Sequence, residues 1–304
     1  MIKKVKKMSS KSKVSISVCL LLAVSICIFA QAPRVHSWDW DAHRFIETEA
    51  EDVLSKVDPF FDDFLSTYHS YIYSWCVMPD QDKSFMPDGS GASGWHYLDA
   101  DNHGYDPLPY QGQYDGDLPW AMKLIFDNIV QYLKDENWVT AAQLMGAICH
   151  FAGDATNPLH STYDYNPGGS GHWAYEGAVD SHIDEISIPD NYVPQYLDNI
   201  TNAALVTLAG SFDFTDEDPN GGVNIGDGTS WNDTIKSISE NRIRAGVQFT
   251  ANVWYTAFVQ AGILDQHPSP TPSATPTNYT PYIVGGVLAI VVIGIVLVLY
   301  MRRR

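Results

Sequence analysis

The segment His150-Phe-Ala-Gly-Asp154-Ala-Thr-Asn-Pro-Leu-His160 concentrates side chains able to hold a cation. His150 and Asp154 stand four residues apart, so on a helix they share one face. Pro158 ends that helix, and His160 follows just beyond it. Twelve residues later His172-Trp-Ala-Tyr-Glu176 repeats the pairing of imidazole and carboxylate at i and i+4. One such pair is ordinary on a solvated helix face. Two pairs with His160, inside 27 residues of a chain that has ten histidines, point to a bound cation. Imidazole with carboxylate and no thiolate suits zinc in an open, catalytic site better than in a closed structural one.

Further candidates lie upstream, in Trp75-Cys-Val-Met-Pro79-Asp80-Gln81-Asp82-Lys83 and Trp95-His96-Tyr97-Leu98-Asp99. Asp80 and His96 are sixteen residues apart and flank a Gly-rich loop. Alone they read as a turn aspartate after a proline and a packed histidine; beside the other donors they join the candidate set. Trp38-Asp-Trp40-Asp-Ala-His43 adds a histidine five residues from an expected new N-terminus. A free α-amine, with a pKa near 8, can lose its proton to a metal. No Ser-His-Asp order and no phosphate-cradling glycine loop offers a different nucleophile.

Helices must position these donors. Ile46, Ala50, Val53, Leu54 and Val57 recur at helical spacing after Asp41. Asp117 is placed to cap a helix from Leu118 through Tyr132, and Thr140 to Ala155 is Ala-rich with few breakers. Gly171 to Ile186, Asn191 to Ala209 and Ser230 to Leu264 read as further helices. Residues 80–116 and 210–230 are rich in Gly, Asp, Pro and Asn and read as loops. Regular β alternation is scarce, so the expectation is all-α: one helical domain with long functional loops over 38–265.

Charge is sharply partitioned in this chain of 304 residues. Residues 1–37 carry six Lys, one Arg and no acid, and residues 266–304 carry three Arg and no acid. Residues 38–265 therefore hold eight basic side chains against all 36 acidic ones, a net charge of −28. Such a body repels polyanions unless bound cations offset it, which excludes a basic nucleic-acid-binding module. At 45% hydrophobic residues, disorder of the body is excluded. Four cysteines exclude a disulfide framework. Cys19 and Cys27 precede the body, while Cys76 and Cys149 within it are open to pairing or to burial as thiols.

The ends read as addresses. The lysine cluster at 3–13 followed by an apolar run from Val14 to Ala30 has the form of a secretory signal peptide, 1–37. Val35 and Ser37 satisfy the small-residue rule for cleavage before Trp38; cleavage after Ala30, or an uncleaved anchor, are the alternatives. Residues 266–281 are a Pro/Ser/Thr-rich stalk. Tyr282 to Tyr300 is a nineteen-residue run without charge, long enough for a transmembrane helix. Residues 301–304, Met and three Arg, then form a cytoplasmic tail. The expected protein is exported, displayed at the cell surface and anchored once in the membrane.

The ordered set of N-terminal Trp, His, Pro-Asp, His-aromatic-x-Asp, His-x3-Asp-x5-His and His-x3-Glu resembles the zinc-dependent phospholipase C superfamily. That superfamily also takes in the single-strand-specific zinc nucleases. The resemblance covers Trp38 to Glu176, and the later helices agree with the family's all-α fold. It implies three zinc ions. Asp80, His96, His150 and Asp154 match the ligands of the first, and His160, His172 and Glu176 those of the second. The Trp38 amine and carbonyl with His43 match those of the third, Asp154 bridging. Such ions neutralise charge developing at phosphorus and lower the pKa of water toward ~7. Asp80 is the candidate to orient or deprotonate that water.

The short Trp38 to His43 interval is nuclease-like. The Pro79-Asp80-Gln81-Asp82-Lys83 segment, Glu176 as last ligand and the short His160 to His172 interval resemble the phospholipases. The first reading is therefore a phospholipase C cleaving glycerophospholipids to diacylglycerol and a phosphorylated headgroup, with no stable nucleic-acid partner. A single-strand nuclease is the alternative, and an inactive surface or adhesion protein on the same fold the third. Gln81, Trp95 and Tyr97 are candidates to line the substrate pocket, or simply to pack their loop.

Overall fold

The computed structural model describes residue 38 and residues 40–99, 116–215 and 231–264. The expected signal peptide, stalk, transmembrane helix and tail lie outside the described residues. No helix among the described residues is long and apolar enough to cross a membrane. These residues form α-helices and short 3-10 turns, with no strand among them: α1 Trp40–Ser55, α2 Pro59–Trp75, α3 Met78–Gln81, α4 Leu118–Lys134, α5 Trp138–Thr156, α6 Gly171–Ser181, α7 Ile200–Phe212 and α8 Asp233–Gln260.

Helix α5 is the axis of the fold. Every residue from Leu144 to Thr156 is buried, and α4, α2, α8, α7 and α1 pack around it. A helix apolar on nearly all sides belongs in a core. His150 and Asp154 are therefore conspicuous, because both are fully buried in an apolar helix. Burying such groups is costly unless they are partnered.

Two glycines let neighbours approach α5. A Cβ on Gly146 would lie 2.3 Å from the Ile72 carbonyl oxygen and 2.9 Å from the Cys76 nitrogen, so α2 runs against bare backbone there. A Cβ on Gly153 would lie 2.8 Å from His43 Nδ1, so the imidazole from α1 fits only over glycine.

Several boundaries differ from the sequence reading. Helix α2 was not expected. Asp58 caps it by accepting from the Phe60 N–H, Pro59 occupies the first turn, and Phe61, Phe64, Leu65 and Ile72 form its buried stripe. Helix α7 starts at Ile200 rather than near 191. Asn199 caps it, and the segment before it contains Pro194, whose missing N–H and ring disfavour a helix. Helix α6 ends at Ser181, and a 3-10 turn, Ile183–Glu185, completes the stretch to Ile186. Asp117 occupies the N-cap of α4 without a side-chain capping bond. Within the expected loop 80–116, Ser93–His96 forms a 3-10 turn. Cys76 and Cys149 are both buried, free thiols.

Candidate metal centre

Helix α5 supplies His150 and Asp154 one turn apart. Asn157 ends the helix and also accepts from the Leu159 N–H, starting the Pro158–His160 turn that presents His160. Helix α6 supplies His172 and Glu176, α1 supplies His43, α3 supplies Asp80, and the Ser93–His96 turn supplies His96. His43, His96, His150, Asp154, His160, His172 and Glu176 are all buried. The Asp80 side chain is only 2% exposed.

Three of the imidazoles are fixed by backbone carbonyls. His150 Nδ1 donates to the Cys76 carbonyl at 2.9 Å. His172 Nδ1 donates to the Tyr165 carbonyl at 2.9 Å, and His160 Nδ1 donates to the His96 carbonyl. Each bond places the proton on Nδ1 and leaves Nε2 as a lone-pair donor, the arrangement that orients histidine toward a metal.

The Nε2 atoms converge. His160 Nε2 lies 3.3 Å from His172 Nε2 and 3.5 Å from Glu176 Oε1, and His172 Nε2 lies 2.8 Å from Glu176 Oε1. A second group forms around His96 Nδ1, which is 3.2 Å from His150 Nε2, 3.0 Å from Asp154 Oδ2 and 3.8 Å from Asp80 Oδ1. His150 Nε2 is 3.6 Å from Asp80 Oδ1 and 3.5 Å from Asp154 Oδ2. A tetrahedral zinc with contacts of about 2.0–2.2 Å separates its donors by about 3.3–3.6 Å. The first triangle, at 2.8–3.5 Å, and the contacts of His96 and His150 with Asp80 and with Asp154, at 3.0–3.8 Å, bracket that spacing.

His43 stacks on His150, ring centroids 3.9 Å apart, and its Nε2 lies 3.5 Å from Asp154 Oδ1. That carboxylate oxygen is buried, with His160 Nδ1 a further neighbour at 3.9 Å. Asp154 thus turns one oxygen to His96 and His150 and the other to His43. The donors present fit divalent cations in number, type and spacing.

The electrostatics agree. Burial pulls the His43 pKa down to about 4, toward the neutral form a metal needs. Burial also lowers His96. For His160, Asp154 and Glu176 more than offset burial and raise its pKa to about 9. Burial penalises the Asp154 charge, yet His150 and His160 outweigh it and hold the carboxyl well below the usual range. Without metal, protons on some imidazoles must supply the positive charge that these carboxylates require.

Trp38 is fully buried, with its indole N–H donating to the Gly153 carbonyl at 2.8 Å and its ring 5.4 Å from Tyr175. This seats the expected N-terminal residue against Gly153, the residue that precedes Asp154. Of the three candidates for the substrate pocket, Gln81 is exposed at the end of α3. Trp95 is half-buried, edge-on to Phe85 and Phe151 at 6.0 and 6.4 Å. Tyr97 is half-buried, and its carbonyl accepts the Leu118 N–H.

Two supporting residues were not anticipated. Asn157 donates to Glu176 Oε1 at 2.7 Å; its place between two ligand candidates was the available signal. Asp180 accepts from the Ala42 N–H at 2.9 Å and the Asp41 N–H at 3.2 Å. It caps α1, which carries His43, from 138 residues away, and no local pattern announces that.

Comparison with known proteins points the same way. The family model described as zinc dependent phospholipase C matches residues 37–212. No curated protein matches the sequence. Among solved structures, Clostridium perfringens alpha-toxin from avian strain SWCP aligns with a TM-score of 0.57 at 15% identity, over 77% of this chain and 67% of that one. The alpha toxin from Clostridium absonum aligns with a TM-score of 0.52 at 14% identity, over 77% of this chain and 68% of that one. At these identities the structural likeness is one of fold.

Proposed function

Because the chain belongs to the zinc-dependent phospholipase C family, we propose that this hydrolase cleaves glycerophospholipids to diacylglycerol and a phosphorylated headgroup. The observation that carries this reading is the convergence of buried donors on both oxygens of Asp154. We assign three zinc ions to it. Asp80, His96, His150 and Asp154 hold the first, and His160, His172 and Glu176 the second. His43, Asp154 and the Trp38 amine and carbonyl, freed by processing, hold the third. Zinc, when bound, polarises phosphoryl oxygens and makes water acidic enough to attack near neutral pH.

The chain's own residues do the rest. The carbonyls of Cys76, Tyr165 and His96 hold three imidazoles in the donor tautomer. Asp80, with its carboxylate at the edge of the His96–His150 pair, orients the attacking water and takes its proton. Asn157 aims Glu176. Gln81 and Tyr97 are assigned to meet the headgroup, with Trp95 packed edge-on to Phe85 and Phe151.

The acidic body favours a zwitterionic lipid over a polynucleotide, whose binding depends on cationic side chains. The short Trp38–His43 interval favours the nuclease reading. Export of the body to the cell surface, with the stalk and a single membrane anchor behind it, belongs to the same proposal. The test is side-by-side hydrolysis of a phospholipid panel and single-stranded DNA by zinc-loaded 38–265. Chelator-sensitive release of phosphorylated headgroup supports the proposal. Nucleotide release without any lipid product sinks it in favour of the nuclease.

A further inference from the structure

A second cluster of donors lies one to two turns farther along α1. Glu47 and Glu51 are four residues apart and face His69 on α2. His69 Nδ1 lies 2.8 Å from Glu51 Oε2 and 3.7 Å from Glu47 Oε1. One donor atom from each residue falls within 4.8 Å of the others.

The Glu47 side chain is fully buried, and its two oxygens are in different situations. Oε2 accepts the Thr48 hydroxyl at 3.1 Å. Oε1 is turned toward His69 and has no hydrogen-bond partner. Glu51 Oε1 is likewise buried without one. Arg44, one turn earlier, does not neutralise the pair; it lies 3.7 Å from Asp41 and its guanidinium covers the Trp40 and Tyr73 rings. Glu47 and Glu51 face each other and can pair only by sharing a proton, so two buried carboxyl groups beside an imidazole are an incomplete arrangement.

We propose that Glu47, Glu51 and His69 bind a zinc ion that clamps α1 to α2, a structural site separate from the centre around Asp154. Two carboxylates match the charge of a divalent ion, and the imidazole selects zinc over magnesium or calcium. The His69 side chain is 45% exposed and that of Glu51 13%, which gives an ion and its remaining water ligand a route in. Without a cation, burial and then the charge of Glu51 push the Glu47 pKa up to about 9, so metal entry displaces a proton. The clamp would hold the helix that carries His43, but it does not depend on which phosphodiester the enzyme cleaves.

The test is zinc content per full chain after equilibrium dialysis, for the native protein, His69→Ala and Glu51→Gln, with thermal midpoints measured with and without added zinc. Both positions reach the surface, so both variants should fold. The expected result is one zinc equivalent fewer in each variant, a smaller zinc-induced rise in the midpoint, and hydrolysis retained. Unchanged zinc content overturns the site and leaves a carboxyl pair sharing a proton. Loss of more than one equivalent overturns its separateness. Protection of the native chain by calcium or magnesium but not by zinc overturns the choice of ion.

Discussion

Asn157 donates its amide N–H to Glu176 Oε1 across 2.7 Å, and that same oxygen faces His172 Nε2 at 2.8 Å. One residue therefore ends α5, starts the turn bearing His160 and aims the carboxylate opposite it. Removing such an outer partner typically weakens metal affinity about 10–100-fold. Asn157→Ala is expected to lose zinc from the His160–His172–Glu176 set first, read as one equivalent released by a competing chelator at concentrations the native protein withstands. An unaltered chelator profile would show that Glu176 holds its place unaided.

Asp154→Asn is expected to lower zinc content more than any single histidine substitution. Its two oxygens face different imidazole groups, and the variant keeps the shape while removing the shared charge. Metal analysis of Asp154→Asn beside His150→Ala decides it. A full complement in the first with one ion missing from the second would mean that Asp154 bridges nothing.

Gly146→Ala is expected to destabilise by about 1–3 kcal/mol, because the added methyl meets the backbone of α2 rather than a movable side chain. The same displacement shifts the Cys76 carbonyl that fixes His150, so zinc affinity should fall along with the melting temperature. A variant as stable as the native protein would mean that α2 moves away freely.

Asp180→Ala removes the acceptor for two N–H groups at the start of α1, a loss of about 0.5–2 kcal/mol. Faster hydrogen exchange confined to the first turns of α1 is the expected signature. Unchanged exchange there would indicate that the indole of Trp38 anchors the helix sufficiently.

The part of the centre that could be read from the sequence is the part built on local spacing. His150 with Asp154, and His172 with Glu176, share helix faces because four residues make about one turn. The all-α class was legible for the same reason. Helix α2 was not, because Phe60, Thr67, Tyr68 and Tyr71 are middling helix formers and the helix is held largely by burial of Phe61, Phe64, Leu65 and Ile72 in the core. The misplaced start of α7 reflects apolar residues near 192–197 that pack on the core without a helix. Backbone carbonyls from Cys76 and Tyr165, the distant cap from Asp180 and the meeting of Glu47 with His69 arise from chain folding alone.

The central claim is that these buried imidazoles and carboxylates are metal donors and not a network of shared protons. Anomalous diffraction at the zinc edge, from crystals of the zinc-loaded protein, tests it most directly. The account predicts one peak enclosed by His160 Nε2, His172 Nε2 and Glu176 Oε1, and another among Asp80, His96, His150 and Asp154. A map with no peak at either place, with the histidines still hydrogen-bonded to one another, would contradict it.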